Sequence, residues 1–473
     1  MAVGTWKGVL TMTVRQFPIS RWQTILAVAI SLALTMTLIQ AAHAQTYTVL
    51  HTFTGGVDGA TPYGGLTWDG GANFYGTAAQ GGYTGTRCYN IFLAPANGCG
   101  TVFRLHRSGS SWTFSTLYEF RGGSVDGNFP TASVTIAADG SLYGTTFAGD
   151  DNGQLGCNVG LQDIGCGTVF NLRPPANACT TALCSWKESI IYAFGTTEGA
   201  GSGPGLGQLV FDQAGNLYGT NWNAPGNVGT VFQLVPSGGS WMLGETYSGI
   251  GGPTYIFNGV TFDSAGNLYG ASQRGLQYGP YCAGGRGVNG CGTVFQLIPT
   301  DSGWNADILY TFTGGEDGKF PTAGLVADRE GNLYGATSAG GAGSGGVVFE
   351  LSPSGGSWTY NLIYSLPNGD PQQFCFQPIG DGGCSGPWGT LLMDSAGNLY
   401  GASFANGAYQ YGNVFELTLS NGSWTYTDLY DFTGGNDGAN PIGPLILDGD
   451  GNIFGTTANG GADGYGVVFE ITP

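Results

Sequence analysis

One block of residues recurs along the whole chain, and a recurring block restricts the fold to architectures assembled from equal units. Its cleanest copy reads GQLVFDQAGNLYGT, then GTVFQLVPSGGSW, then an extended aromatic run. The Leu-x-x-Asp-x-x-Gly-Asn-Leu-Tyr-Gly register can be followed from Leu66, Val134, Leu209, Val260, Leu325, Leu391 and Leu445. The shortest intervals approach the ~40–50 residues of a propeller blade, and the longer ones contain cysteine-bearing insertions. Each copy predicts four strands. Strand a is the Leu-Val-Phe-type run, and a tight turn at Asp-x-x-Gly-Asn leads to strand b, Asn-Leu-Tyr-Gly-Thr. A Gly-rich loop leads to strand c, Gly-Thr-Val-Phe-x-Leu, and a Pro-Ser-Gly-Gly-Ser-type turn leads to strand d, as in WTYTDLYDF from Trp424 to Phe432. β-Branched and aromatic residues punctuated by Gly and Pro are the strand signal, and no segment sustains a helical period.

The two ends choose between an open array and a ring. The seventh copy has strands a, b and c only, while the N-terminal YTVLHTF, Tyr47 to Phe53, reads as a strand d without a blade. Joining it to the seventh copy completes four strands and predicts an all-β, seven-bladed β-propeller whose closure leaves only short edges. An open solenoid or two sandwiches would account for neither end.

Residues 1–44 read as a secretory signal ahead of a propeller domain of residues 45–473. Lys7, Arg15 and Arg21 lead an apolar run from Ile25 to Ile39, and Ala42-His43-Ala44 offers a cleavage site. The run is short for a membrane span, and translation starts at either Met1 or Met12. The leader takes three of the 13 basic residues and none of the 31 acidic ones, so the mature chain carries a net charge near −21. Such a surface repels phosphate backbones, which argues against nucleic acid as a partner. With 89 glycines the composition could suggest disorder, but a 13% aromatic content needs a core.

All ten cysteines follow the leader, in the close pairs Cys88/Cys99, Cys157/Cys166, Cys179/Cys184, Cys282/Cys291 and Cys375/Cys384. Even count, local spacing and an export signal predict five loop disulfides. Zinc, the competing reading, lacks any C-x-x-C pair, and His51 and His106 are the only histidines after the leader.

The phrases GNLYGTT, GTVFxLxP and LYxFTGGxDGxxP resemble the GloVer tandem repeat of bacterial "choice-of-anchor" exported proteins, over nearly all of Gln45 to Pro473. The resemblance implies a secreted repeat protein without assigning it an activity. Such proteins often end in an anchoring tail. This sequence stops inside its last strand, so the expectation is a released monomer, extracellular or periplasmic, without membrane contact after cleavage.

Most repeated residues read as structural. The Asp at positions 69, 212, 263, 328, 394 and 448 precedes the a–b turn, where its side chain can bond the backbone two residues on. The strand-b Tyr, as at Tyr218, is expected to pack between blades. In a four-stranded meander the a–b and c–d turns share one face, and the b–c and d–a loops share the other. The latter vary and hold four of the five cysteine pairs, so ligand binding is expected on that face and at the channel mouth.

Two constellations lie there. The Gly-Gly-x-Asp-Gly-x-x-Pro loop carries Asp58, Asp317 and Asp437, and a longer version carries Asp126. Calcium takes such oxygen ligands, while a tight turn entering strand a explains them without a metal. The second is aromatic: Tyr83, Tyr89, Trp222, Tyr278, Tyr281, Trp388, Tyr409, Tyr411 and Tyr465. Rings beside polar side chains suit sugars or a protein interface, and loop packing explains them too. Trp222 and Trp388 are the leading ligand contacts, with Arg274 and Arg286 beside Tyr278 and Tyr281 as an anion-binding patch. The reading is a binding or scaffold propeller for a glycan or surface protein. The alternative is a carbohydrate-active enzyme, a glycosidase with paired acids or a lyase using an arginine. His51 and His106 lie away from the mouth, against a His-based triad.

Overall fold

The turn chemistry sets each blade. Asp212 Oδ1 accepts the Ala214 and Asn216 N–H groups at 2.9 and 2.8 Å, and its Oδ2 accepts Asn216 Nδ2 at 2.8 Å. The same three bonds recur at Asp263, Asp328, Asp394 and Asp448. One side chain thus satisfies the whole a–b corner, which is why the motif repeats without any catalytic demand.

The computed structural model describes residues 45–85, 88, 97–123, 126–149, 158–159, 162–163, 165–175, 185–195, 202–224, 228–248, 255–275, 282, 290–301, 303–367 and 385–472. Among these there is no α-helix. Blade one consists of Leu66–Trp68, Asn73–Ala78, Thr101–Ser108 and Ser111–Glu119, paired in that order. Blades two to six repeat the antiparallel a-b-c-d order, and blade three adds the short strand Ser202–Pro204 against its strand b. Blade seven takes Ile446–Leu447, Ile453–Thr457 and Val467–Thr472 from the end of the chain and Thr46–Thr52 from its beginning. Thr46 lies opposite Thr472 and Thr52 opposite Val467. The expected closure by strand d is therefore present.

The core is divided as a ring requires. Seven buried clusters each draw on two neighbouring blades, one for every seam, including that between blades seven and one. An eighth draws on all seven: Tyr63, Phe129, Phe257, Phe320, Trp388 and Ile442 meet there with Leu206 of blade three. Only the axis is reached by every blade, so this cluster is an apolar plug in the channel.

The seams repeat in detail. The strand-b Tyr meets the Trp that opens strand d of the next blade, as in Tyr218 with Trp304 at 6.0 Å and Tyr269 with Trp358 at 6.0 Å. The expected packing of this Tyr between blades is what the structure shows. Further along strand d, four seams stack ring on ring: Tyr310 on Tyr360 at 4.4 Å, Tyr364 on Tyr426 at 4.6 Å, Tyr430 on Tyr47 at 3.9 Å and His51 on Phe114 at 3.8 Å.

Blades one and four are also stapled to the next blade. Phe129 and Phe320 precede a proline yet adopt φ of 63° and 59°, a conformation disfavoured for bulky residues and costing about 1–3 kcal/mol. Their N–H groups donate to the carbonyls of Cys99 and Cys291 in the preceding blade, at 2.9 and 2.8 Å. Gly100 and Gly292 follow those cysteines at positive φ, where a Cβ would lie 2.4 Å from Cδ of Pro130 and Pro321. The disulfides Cys88–Cys99 and Cys282–Cys291 hold the accepting loops, and Cys166 is disulfide-bonded as well. Cys157, Cys179, Cys184, Cys375 and Cys384 lie outside the described residues. Among the described residues no cysteine is free and no helix is long and apolar enough to cross a membrane.

Candidate functional site

The b–c/d–a face is built around the plug. Trp388 lies three residues before Leu391, in the same repeat position as Tyr63, Phe257 and Ile442, and it is 1% exposed. Asn258 Nδ2 donates to its carbonyl at 2.9 Å across the channel. Trp222 extends strand b of blade three and is partly buried against Tyr255 at 5.4 Å and Phe147 at 5.9 Å. Arg274 is 2% exposed, with its guanidinium 4.9 Å over the Phe320 ring. These three expected ligand contacts therefore meet within or beside the plug, and the channel mouth is packed with side chains. Tyr278, Tyr281 and Arg286 lie outside the described residues.

The four Asp of the Gly-Gly-x-Asp-Gly loops occupy four different d–a connections. Asp317 accepts Thr313 N–H at 2.7 Å, Thr313 Oγ1 at 2.6 Å and the Tyr310 hydroxyl at 3.1 Å. Asp437 repeats this with Thr433 and Tyr430. Asp58 uses Thr54, and His51 Nε2 lies 3.1 Å away where the others have Tyr. Burial lowers the His51 imidazole, against the pull of Asp58. Each carboxylate is thus hydrogen-bonded within its own turn. Among the described residues no three His, Cys, Asp or Glu side chains group to hold a metal.

Asp126 differs. Its carboxylate accepts the Tyr118 hydroxyl at 2.9 Å, Arg121 N–H at 2.8 Å and Gly127 N–H at 2.7 Å, yet burial still raises it above the usual carboxylate range. Close by stands Glu188 on strand d of blade two. Burial, and then the charge of Asp126, push the Glu188 carboxyl up to about 8, and its Oε1 is buried without a hydrogen-bond partner. Burial and Asp126 likewise raise the Tyr118 phenol, so it stays a donor. A cleft of about 550 Å³ runs along this seam, lined by Tyr83, Tyr118, Glu119, Arg121, Asp126 and Trp186. Sequence reasoning did not single out Glu188. Its signal was positional, because Glu188 stands two residues after Trp186 where blades one, five and six carry Phe114, Tyr360 and Tyr426.

The rim of the face carries exposed rings. Tyr83, Tyr409 and Tyr411 are 46%, 57% and 47% exposed, all on b–c loops. Cys99 N–H donates to the Tyr83 carbonyl at 3.1 Å and Asn440 N–H to that of Tyr411 at 2.7 Å, while Ala408 N–H donates to Asp431 Oδ1 at 3.0 Å. On the opposite face a cleft of about 700 Å³ opens between blades three and four, lined by Asp212, Tyr218, Glu245, Asp263, Asp301 and Trp304. Two of its acids are already committed to their turns.

Similar solved structures include an ulvan lyase described as a new family of polysaccharide lyase, 11% identical, covering 88% of this chain and 95% of its own, with a TM-score of 0.49. A Dyadobacter fermentans protein of unknown function is 10% identical over 91% of this chain and 98% of its own, TM-score 0.43. A Xanthomonas campestris gluconolactonase is 13% identical over 56% and 70%, TM-score 0.32. No curated protein sequence matches the chain. The model of the Gloeobacter/Verrucomicrobia repeat matches residues 161–374 and 354–473, which together span more than half of the sequence and carry the motifs that build the blades. The chain belongs to the Gloeobacter/Verrucomicrobia repeat family.

Proposed function

We propose that the protein is an exported binding or scaffold propeller that holds a glycan or a surface protein on its b–c/d–a face. The observation that carries this reading is the placement of exposed rings. Among the described residues, the exposed aromatic side chains are Tyr83, Tyr409 and Tyr411, and all three stand on that face. A tyrosine held out in water offers an apolar ring face to C–H groups and a hydroxyl to polar ones. Their loops are already fixed by backbone bonds, so little ordering remains to oppose binding. Export is part of the same reading, supported by the disulfides in the loops. An array of glycans probed with the purified protein tests it. Tyr83→Ala, Tyr409→Ala and Tyr411→Ala should leave the melting temperature unchanged, and at least one should weaken the bound glycan about fivefold. Unaltered binding by all three variants, or a ligand mapped to the Asp-x-x-Gly-Asn turns, would remove this assignment.

One observation favours a second reading, a carbohydrate-active enzyme. Glu188, proton-bearing at neutral pH, stands near Asp126, and an acid beside a second carboxyl is the equipment of glycosidic-bond cleavage. Release of new sugar ends from a polysaccharide panel, lost in Glu188→Gln, would support it. No turnover across the panel would dismiss it.

A further inference from the structure

Four seams of the ring close with a stacked pair of rings on neighbouring outer strands, and among the described residues the seams between blades one and two, two and three, and three and four do not. Tyr118 occupies the position of Tyr310, Tyr364 and Tyr430, but among the described residues no ring is stacked on it. Its opposite number is Glu188, and Tyr118 instead lines the 550 Å³ cleft.

We propose that this cleft is a sugar subsite, in which a neutral pyranose lies against Tyr118 and Trp186 and so supplies the ring that the chain omits at this seam. The proposal rests on the glycan-binding reading above and gives it a place and a sugar class. Its volume falls within the ~300–1,000 Å³ usual for small-ligand sites. A pyranose has a C–H face for the aromatic walls and hydroxyls at its edge. Arg121, Glu119 and Asp126 line the cleft and can meet those hydroxyls. Glu188 does not itself line the cleft; its buried Oε1, beside Asp126, has no hydrogen-bond partner among the described residues. The charge balance selects the sugar. Asp126 and Glu119 outnumber Arg121 in the lining, so a uronate or sulfated sugar would meet like charge. Tyr83, exposed at the rim, extends the aromatic surface from the cleft onto the loop face.

The experiment supplies the missing ring from the protein itself. The purified protein is probed on an array holding both neutral and acidic oligosaccharides. Glu188→Tyr puts a ring where blades five and six have Tyr360 and Tyr426, and Ala306→Tyr makes the same insertion at the seam between blades three and four. The expected result is binding of neutral pyranoses by the wild type, a loss of roughly tenfold or more in Glu188→Tyr, and no change in Ala306→Tyr. Tyr118→Leu, which keeps an apolar side chain and removes the ring, should also lose binding. Neutral-sugar binding that survives both Glu188→Tyr and Tyr118→Leu would overturn the subsite while leaving the glycan reading standing. The same holds for binding confined to acidic sugars. A wild type that binds no sugar would overturn both.

Discussion

The seam between blades six and seven and the seam between blades one and two use the same two outer-strand positions with opposite chemistry. At the first, Tyr47 lies flat on Tyr430 with ring planes 9° apart, and its hydroxyl reaches the Asp437 carbonyl at 2.5 Å. At the second, Tyr118 faces the carboxyl of Glu188 beside Asp126. The first seam sets the closing strand of blade seven against blade six through a stacked ring pair and a hydrogen bond. The second lies within continuous chain, away from the closure, and holds a buried polar atom without a partner. A ring of near-identical units can thus carry one seam optimised for closure and another left polar.

Three measurements break or sharpen this contrast. Deleting residues 45–54 removes Tyr47 together with strand d of blade seven, and should lower the thermal midpoint by roughly 10 °C or more. An unchanged melting curve would show that the closing seam contributes nothing. Tyr47→Ala should cost about 2–4 kcal/mol in denaturant unfolding, and Tyr118→Ala clearly less, because only Tyr47 loses a stacked partner. Equal losses would erase the distinction between the seams.

The smallest effect concerns pH. In the folded state the Glu188 carboxyl sits near 8, above its ordinary 4.5, so between these values the folded protein holds a proton that the unfolded chain releases. Its contribution is therefore complete below the ordinary value and is lost as pH rises through about 8. From pH 5 to pH 9 the wild type should lose about 1–2 °C relative to Glu188→Gln. A constant difference between the two proteins would mean that Glu188 titrates normally.

The repeat made much of this legible in advance. Seven registers, four strands in each and a strand d displaced to the N-terminus lead to the ring without further help. What the sequence concealed was radial position. Trp388 sits in Ser-Gly-Pro-Trp-Gly beside a cysteine insertion and looks like a loop residue. Aligned with Tyr63, Phe257 and Ile442, it falls in the column that fills the axis. Arg274 follows strand b as a polar loop residue would, and the structure turns it onto Phe320. Glu188 was hidden for the converse reason: a charged residue in a strand reads as solvent-facing until its column proves to be the inter-blade one. Exposure of Tyr83, Tyr409 and Tyr411 depends on loops whose paths no periodicity specifies.

The ring is shut by the pairing of Thr46–Thr52 with Val467–Thr472, in which Thr46 and Thr472 lie 426 positions apart. Contacts so far apart in sequence are the slowest to find. Thr46–Thr52 therefore exposes an unpaired edge until Val467–Thr472 is in place. A chain cut short by even one strand leaves Thr46–Thr52 with nothing to pair against. Strand c of blade seven is thus a condition of closure as well as of its own blade.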